Sequence, residues 1–216
     1  MDRLNAVLCS RNPHKARELE ALLPGWTIET LDRDDYPPET GATYYENAAS
    51  KARFGREHSG GWVLAEDSGL EVEALGGRPG VLSARYAEAA SAGGQAAGAR
   101  PEVPAAFGGR GEGAPAVAKL LGELEGSEDR RARYVSELVL LSPDGRELRG
   151  TGTLEGLIAD EPSGDEGFGY DPVFIPAGEE RTVAELGNDW KAKRSHRARA
   201  ARALVRALGG ARATTS

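Results

Sequence analysis

The sequence contains one cysteine, Cys9. That excludes an internal disulfide and any metal site built on several thiolates, and it fits a reducing, cytoplasmic setting. No apolar run approaches membrane-spanning length. The N-terminus has no long apolar core behind its charges, so no secretion signal is expected. An excess of positive charge is also missing. The chain has 27 Lys and Arg against 34 Asp and Glu, a net charge of -7. General nucleic-acid binding is therefore not favoured, although a local basic cluster with a metal can still take a small anion. Any metal must be held by oxygen or imidazole ligands.

Apolar residues make up 39% and charged residues 28% of the chain, as in a soluble globular protein. A length of 216 residues suits one substantial core, here expected as a single domain over 1–216 arranged in two lobes. Residues 5–10 read as an apolar strand and 13–23 as an amphipathic helix with Ala16, Leu19, Leu22 and Leu23 on one side. A strand is expected over 26–31. A helix follows from Thr43 to about His58, with Glu46 at the capping-box position. A buried strand is expected over 62–65, a turn over 67–69 and an extended segment over 70–75. Residues 88–115 are rich in Ala, Gly, Pro and Ser and read as a long flexible loop within the domain. A short helix resumes over 115–124. Two strands, 134–141 and 147–158, flank the turn Ser142-Pro143-Asp144-Gly145. A short apolar segment covers 173–175, and Ser195 caps a last helix ending near Gly209-Gly210. Strands interleaved with helices, with one clear hairpin, indicate an α/β fold with a mixed sheet.

Several segments carry chemistry. In Ser10-Arg11-Asn12-Pro13-His14-Lys15, Asn12 is a good helix N-cap and Pro13 fits the first helical position. Arg11, His14 and Lys15 nonetheless crowd that N-terminus with cations, against the helix dipole. A bound anion would resolve the conflict. The alternative is a solvated basic turn. Glu66 and Asp67 are adjacent carboxylates at a buried strand, where mutual repulsion and lost hydration would be relieved by Mg²⁺ or Mn²⁺. In an extended strand they would face opposite ways. Glu46 closes a capping box or serves a metal. Asn47 and Lys51 share a helix face, and Lys51 either balances the carboxylates or is a solvated helix residue. Gly167 and Gly169 surround Phe168, Tyr170 and Asp171, a loop suited either to stacking on a base or to a glycine-rich turn whose aromatics finish the core. Lys191, His196 and Arg197 add cations near the last helix, which read as a solvated face or nucleic-acid patch or, more sharply, as a site for a keto oxygen or a phosphate.

Taken in order, these segments resemble the inosine triphosphate pyrophosphatase family. The likeness rests on Ser10 to Lys15, on Tyr45-Glu46-Asn47-Ala48 with Lys51-Ala52, and on Glu66-Asp67-Ser68-Gly69-Leu70-Glu71-Val72. It continues through Gly80-Val81-Leu82-Ser83-Ala84-Arg85-Tyr86, Gly167-Phe168-Gly169-Tyr170-Asp171-Pro172, Ala184-Glu185-Leu186, Lys191 and Ser195-His196-Arg197. The resemblance implies an elongated mixed sheet, two lobes around a central cleft and a homodimer. It implies Mg²⁺-dependent hydrolysis of ITP, dITP and XTP to the monophosphate and pyrophosphate. By the same likeness, Ser10 to Lys15 cradle the triphosphate. Glu46 and Asp67 bind the metal, with Glu66 as a further candidate, and Asp67 also accepts the proton of water. Lys51 and Ser68 sit in the phosphate and metal region. Phe168, Gly169, Tyr170 and Asp171 hold base and sugar, and Lys191, His196 and Arg197 contact the purine. Glu66 stands where an aspartate is frequent, and Arg11 where a small residue is usual. Two other readings are a pyrophosphatase for modified pyrimidine or methylated nucleotides, and a nucleotide sensor without turnover.

Overall fold

A computed structural model describes residues 4–89 and 113–213. Most of the segment read as a loop over 88–115 lies outside the described residues. Six strands form one sheet in the order β2-β1-β3-β4-β5-β6. They are β1 Leu4–Cys9, β2 Trp26–Thr30, β3 Trp62–Val72, β4 Arg131–Leu141, β5 Glu147–Ile158 and β6 Phe174–Pro176. β1 pairs parallel with β2 and β3, and β5 pairs antiparallel with β6. The sheet is mixed and the fold is α/β, as expected. Among the described residues, no helix is long and apolar enough to cross a membrane.

The chain divides into two compact units. One takes the residues up to Ser68, then Val135–Thr153 and those from Arg194 onward; the other takes Gly69–Tyr134 and Leu154–Lys193. In the first unit, helix α1 (Pro13–Leu22) and the last helix, α7 (His196–Ala213), cover one face of the sheet. Ala16, Leu19, Ala200, Ala201 and Leu204 pack there on Leu4, Ala6, Leu8, Leu64, Leu138 and Leu140. Helix α2 (Tyr44–His58) covers the other face, with Ala48, Ala49 and Ala52 against Cys9, Val63, Ala65, Val139 and Leu141. The strand residues alternate between the two clusters, as the pleat requires. A Cβ at Gly150 or Gly152 would run into the α7 backbone at Ala200 or His196. Those two glycines thus let the start of α7 lie directly on the sheet. Burial lifts the Cys9 thiol pKa to about 12, so it behaves as a small core residue.

The second unit has its own core of Leu70, Val72, Val117, Leu120, Leu124, Tyr134, Leu154, Ile158, Val173 and Phe174. It holds the short helices α3 (Tyr86–Ala89), α5 (Val183–Leu186) and α6 (Asn188–Arg194), and the amphipathic α4 (Ala114–Glu123). Helices α5 and α6 carry no separate periodic signal.

Three expectations need correction. The extended segment expected over 70–75 ends at Val72, and Glu73–Leu75 form a short 3₁₀ helix. The residues 67–69 do not turn the chain: β3 runs unbroken from Trp62 to Val72. Asp-Ser-Gly carries turn chemistry, but the apolar residues on both sides, from Val63 to Ala65 and at Leu70 and Val72, are wholly buried and keep the segment in the sheet. The last helix does not stop at Gly209-Gly210; it continues to Ala213. A glycine pair costs helix stability without forcing a stop.

Candidate active site

The predicted residues fall into two groups, one in each unit. The first group is organised by β3. Because that strand is continuous, Glu66 and Asp67 point to opposite faces of the sheet. Glu66 shares its face with Leu64, under α1 and α7; Asp67 shares its face with Ala65, under α2.

On the first face, Glu66 is 1% exposed, and each of its oxygens meets a cation. Lys15 Nζ lies 2.8 Å from Oε2. Oε1 accepts from Ser136 Oγ at 3.0 Å and from Arg197 Nε at 3.2 Å. Burial works against the Glu66 anion, but Lys15 and Arg197 outweigh it and hold the carboxyl well below the usual carboxylate range. Arg197 is itself 1% exposed. Its guanidinium also reaches Glu18 of α1, and Nη2 donates to Ser68 Oγ at 3.1 Å. Both Glu66 and Arg197 are thus tied into a buried ionic network that joins β3, α1 and α7. Ser195 Oγ accepts the Ala198 N–H at 3.1 Å, which starts α7 as the sequence suggested.

At the α1 N-terminus, Asn12 Oδ1 accepts the N–H groups of His14 (2.9 Å) and Lys15 (3.2 Å), and Ser10 Oγ accepts that of Asn12 (3.2 Å). The first turn has no acid of its own. The N–H groups of His14 and Lys15 being taken, an anion here would meet the helix dipole and the side chains of Arg11, His14 and Lys15. Arg11 is exposed, with Nη2 donating to the Asp34 carbonyl at 2.9 Å and its guanidinium 5.1 Å from the Tyr36 ring.

On the other face, Asp67 is 5% exposed. Asn47 Nδ2 donates to its Oδ2 at 3.0 Å, and Lys51 Nζ lies 3.3 Å from Oδ1. The same Nζ lies 2.7 Å from Glu39 Oε1. One ammonium is therefore shared between two carboxylates. Burial opposes the Lys51 charge, but Asp67 and Glu39 together raise its pKa. At Asp67 burial dominates; Lys51 and Lys15 oppose it, while Glu66 and Glu39 add to it, and the net shift is upward. An aspartate raised in this way is tuned towards proton transfer.

Glu46 occupies the third position of α2, and its Oε2 accepts the N–H groups of Ala42 (2.6 Å) and Thr43 (3.3 Å). The capping box is complete, and the next residue, Asn47, is the one whose side chain reaches Asp67. Glu39 was not singled out in the sequence. Its only signal is position, in the polar loop just ahead of α2.

Among the described residues, no three His, Cys, Asp or Glu side chains group closely enough to hold a metal by themselves. The pair Glu39 and Asp67 still fits a hard divalent cation. Its donors are all carboxylate oxygens, they share one ammonium, and burial disfavours the Asp67 charge. The remaining ligands would have to come from substrate phosphates and water.

The second group lies within the other unit. Asp171 is 3% exposed and Lys191 4% exposed. Asp171 Oδ2 accepts the Phe168 N–H at 2.8 Å and lies 2.7 Å from Lys191 Nζ; Oδ1 accepts from Tyr134 OH at 3.4 Å. Lys191 Nζ sits 4.6 Å from the centre of the Phe168 ring. Gly167 has φ +80°, and a Cβ there would strike the Asp171 carboxylate. Tyr170 is buried and donates to the Ser83 carbonyl at 3.0 Å. Gly113, the N-cap of α4, lies against Gly169; a Cβ would come within 2.6 Å of the Gly169 carbonyl.

This arrangement can be set beside known proteins. A profile of the Ham1 family matches residues 6–207. A protein of Thermus thermophilus named dITP/XTP pyrophosphatase is 43% identical over 210 residues, covering 94% of this chain and 91% of its own. One of the same name from an Exiguobacterium species is 42% identical over 206 residues, covering 93% and 95%. The solved structure of a HAM1 protein from Coxiella burnetii superposes with a TM-score of 0.76 at 35% identity, covering 96% of this chain and 99% of its own. The mixed sheet, the motifs in order and full-length similarity agree: the chain belongs to the Ham1 family.

Proposed function

We propose that this protein hydrolyses aberrant purine nucleoside triphosphates (dITP, ITP and XTP) to the monophosphate and pyrophosphate, and so clears them from the nucleotide pool. The observation that carries the reading is Asp67. It is buried, raised in pKa, oriented by Asn47, and placed with Lys51 and Glu39 on the α2 face of β3. Asp67 takes a proton from the attacking water, whose oxygen bonds to phosphorus as the α–β anhydride breaks and pyrophosphate leaves. Lys51, and Lys15 with the rest of the Ser10 to Lys15 turn, offset the charge that develops on the phosphates.

The cation is Mg²⁺ in this proposal, with Mn²⁺ as a substitute. Asp67 and Glu39 would hold it; Glu46, committed to the helix cap, is the less suited of the two glutamates. When bound, the ion supplies charge neutralisation along the triphosphate. Glu66 serves as the buried counter-ion of Lys15 and Arg197. Phe168, Gly169, Tyr170, Asp171, Lys191 and His196 are assigned to base and sugar by family likeness. A homodimer in the cytoplasm completes the proposal.

Product analysis tests it. Purified protein with Mg²⁺ is expected to release pyrophosphate, with no orthophosphate, from dITP, ITP and XTP. It is expected to act far more slowly on ATP, dTTP and UTP. Orthophosphate as the product, equal rates on ATP, or tight ITP binding without turnover would each reject the assignment.

A further inference from the structure

Glu39 stands in the loop between β2 and α2, and the middle of that loop is gripped from two sides. Helix α2 supplies the first grip. Lys51 Nζ holds the Glu39 carboxylate at 2.7 Å. One turn further on, the Phe54 ring lies 5.1 Å, centre to centre, from the ring of Tyr36. Lys51 and Phe54 are i, i+3 neighbours, so one side of α2 holds both places. The Tyr36 hydroxyl donates to the Leu31 carbonyl at 2.9 Å and closes the start of the loop. The second grip comes from the turn ahead of α1. Arg11 Nη2 donates to the Asp34 carbonyl at 2.9 Å, and the guanidinium lies 5.1 Å from the centre of the Tyr36 ring. Arg11 has the charge for a phosphate, yet these contacts are with the loop.

Pro37 and Pro38 alone separate Tyr36 from Glu39. Each proline fixes its own φ at about −65°, so the link is short and stiff. Where Tyr36 is held, Glu39 is held too. We infer that Arg11 and Tyr36 are positioning residues: they tie the Glu39 loop to the Ser10–Lys15 turn and so set the reach of Glu39 towards a divalent ion. The inference deepens the proposed function and rests on it. It makes metal affinity depend on two residues that are not ligands. It also requires an arginine rather than any cation. A planar guanidinium can stack on a ring and bond a carbonyl at once, which an ammonium on a flexible stem does poorly. A residue that only supplied charge to phosphates would tolerate lysine.

Full-length wild type, Arg11→Lys, Arg11→Ala, Tyr36→Leu and the double variant Arg11→Ala/Tyr36→Leu test this. Arg11 is exposed, so its variants are expected to fold as the wild type does. Two quantities are read: half-saturating Mg²⁺ for pyrophosphate release from dITP, and hydrogen exchange of the backbone amides over 31–41 in the nucleotide-free protein. Half-saturating Mg²⁺ is expected to rise about 3- to 10-fold in Arg11→Ala and in Tyr36→Leu, the range for losing an exposed cation–π contact together with a hydrogen bond. KM for dITP at saturating Mg²⁺ should rise less. Arg11→Lys should behave like Arg11→Ala although it keeps the charge. The double variant should be little worse than either single one, because both act through the same contact. The loop amides should exchange faster in every variant, with α2 exchanging as in wild type. Wild-type Mg²⁺ dependence in Arg11→Lys, additive losses in the double variant, or unchanged loop exchange would overturn the inference while leaving the proposed function intact. A wild-type protein that releases pyrophosphate from none of the keto-purine triphosphates would overturn both.

Discussion

Replacing Asp67 by Asn is expected to lower kcat/KM for dITP by about 10²–10⁴-fold, the range for losing a general base. The fold should survive. Asn keeps the size of the side chain and an acceptor for Asn47 Nδ2, which donates to the Asp67 oxygen at 3.0 Å. The change also relieves a buried carboxylate whose charge is disfavoured by burial and by its acidic neighbours Glu66 and Glu39. Thermal stability should therefore hold or rise slightly while activity collapses. The pH profile supplies a second readout. Burial holds the Asp67 pKa above the usual aspartate range, so wild-type kcat/KM should fall as pH drops towards it, because the base becomes protonated. That acidic limb should vanish in the Asn variant's residual activity. An Asp67→Asn protein retaining most of its rate would remove the base from the mechanism.

Removing Glu66 is expected to act on stability first. Glu66→Ala leaves Lys15 and the buried Arg197 facing a void where the carboxylate was. Breaking a buried ion pair from one side costs about 3–5 kcal/mol. For a chain of this size that corresponds to a fall in Tm of about 6–20 °C. Glu18 remains as a partner for Arg197, so the lower half of the range is the better estimate. The acid side of the stability profile should change with it. Lys15 and Arg197 hold the Glu66 carboxyl below the usual carboxylate range in the folded protein. A depressed carboxylate contributes fully above its unfolded pKa, and that contribution is lost as pH falls below about 4.5 towards the folded value. Glu66→Gln should therefore flatten the loss of stability in that window, having lost the contribution at every pH. Urea melts at pH 7 and pH 4 measure the difference.

Local chemistry was well written in the sequence. Asn12 caps α1, Thr43 and Glu46 close the capping box of α2, and the turn at Ser142 to Gly145 joins β4 to β5, each from contacts within a few residues. Much of the site was legible because the family's motifs stand in order. The allocation of Glu66 and Asp67 to separate faces depended on whether β3 was broken. Turn-forming residues suggested a break; burial on both sides removed it. Arg197 reads as one basic residue among many, and only the packing of α7 on the sheet shows it paired inward to Glu66 and Glu18. Glu39 lay in a loop without a periodic pattern. It joins Asp67 through the fold of the loop ahead of α2 and through Lys51, a relation that no spacing along the chain encodes.

The central claim is that Asp67 and Glu39, gathered by one lysine, form the carboxylate pair for the divalent ion and its triphosphate. A Mg²⁺ titration of pyrophosphate release from dITP, run on wild type, Glu39→Gln and Glu46→Gln, addresses it directly. The account predicts that half-saturating Mg²⁺ rises at least about tenfold in Glu39→Gln, the low end for damage to a metal site. In Glu46→Gln it should rise far less, with loss of the helix cap appearing as a lower Tm. A large Mg²⁺ shift in Glu46→Gln with none in Glu39→Gln would contradict it.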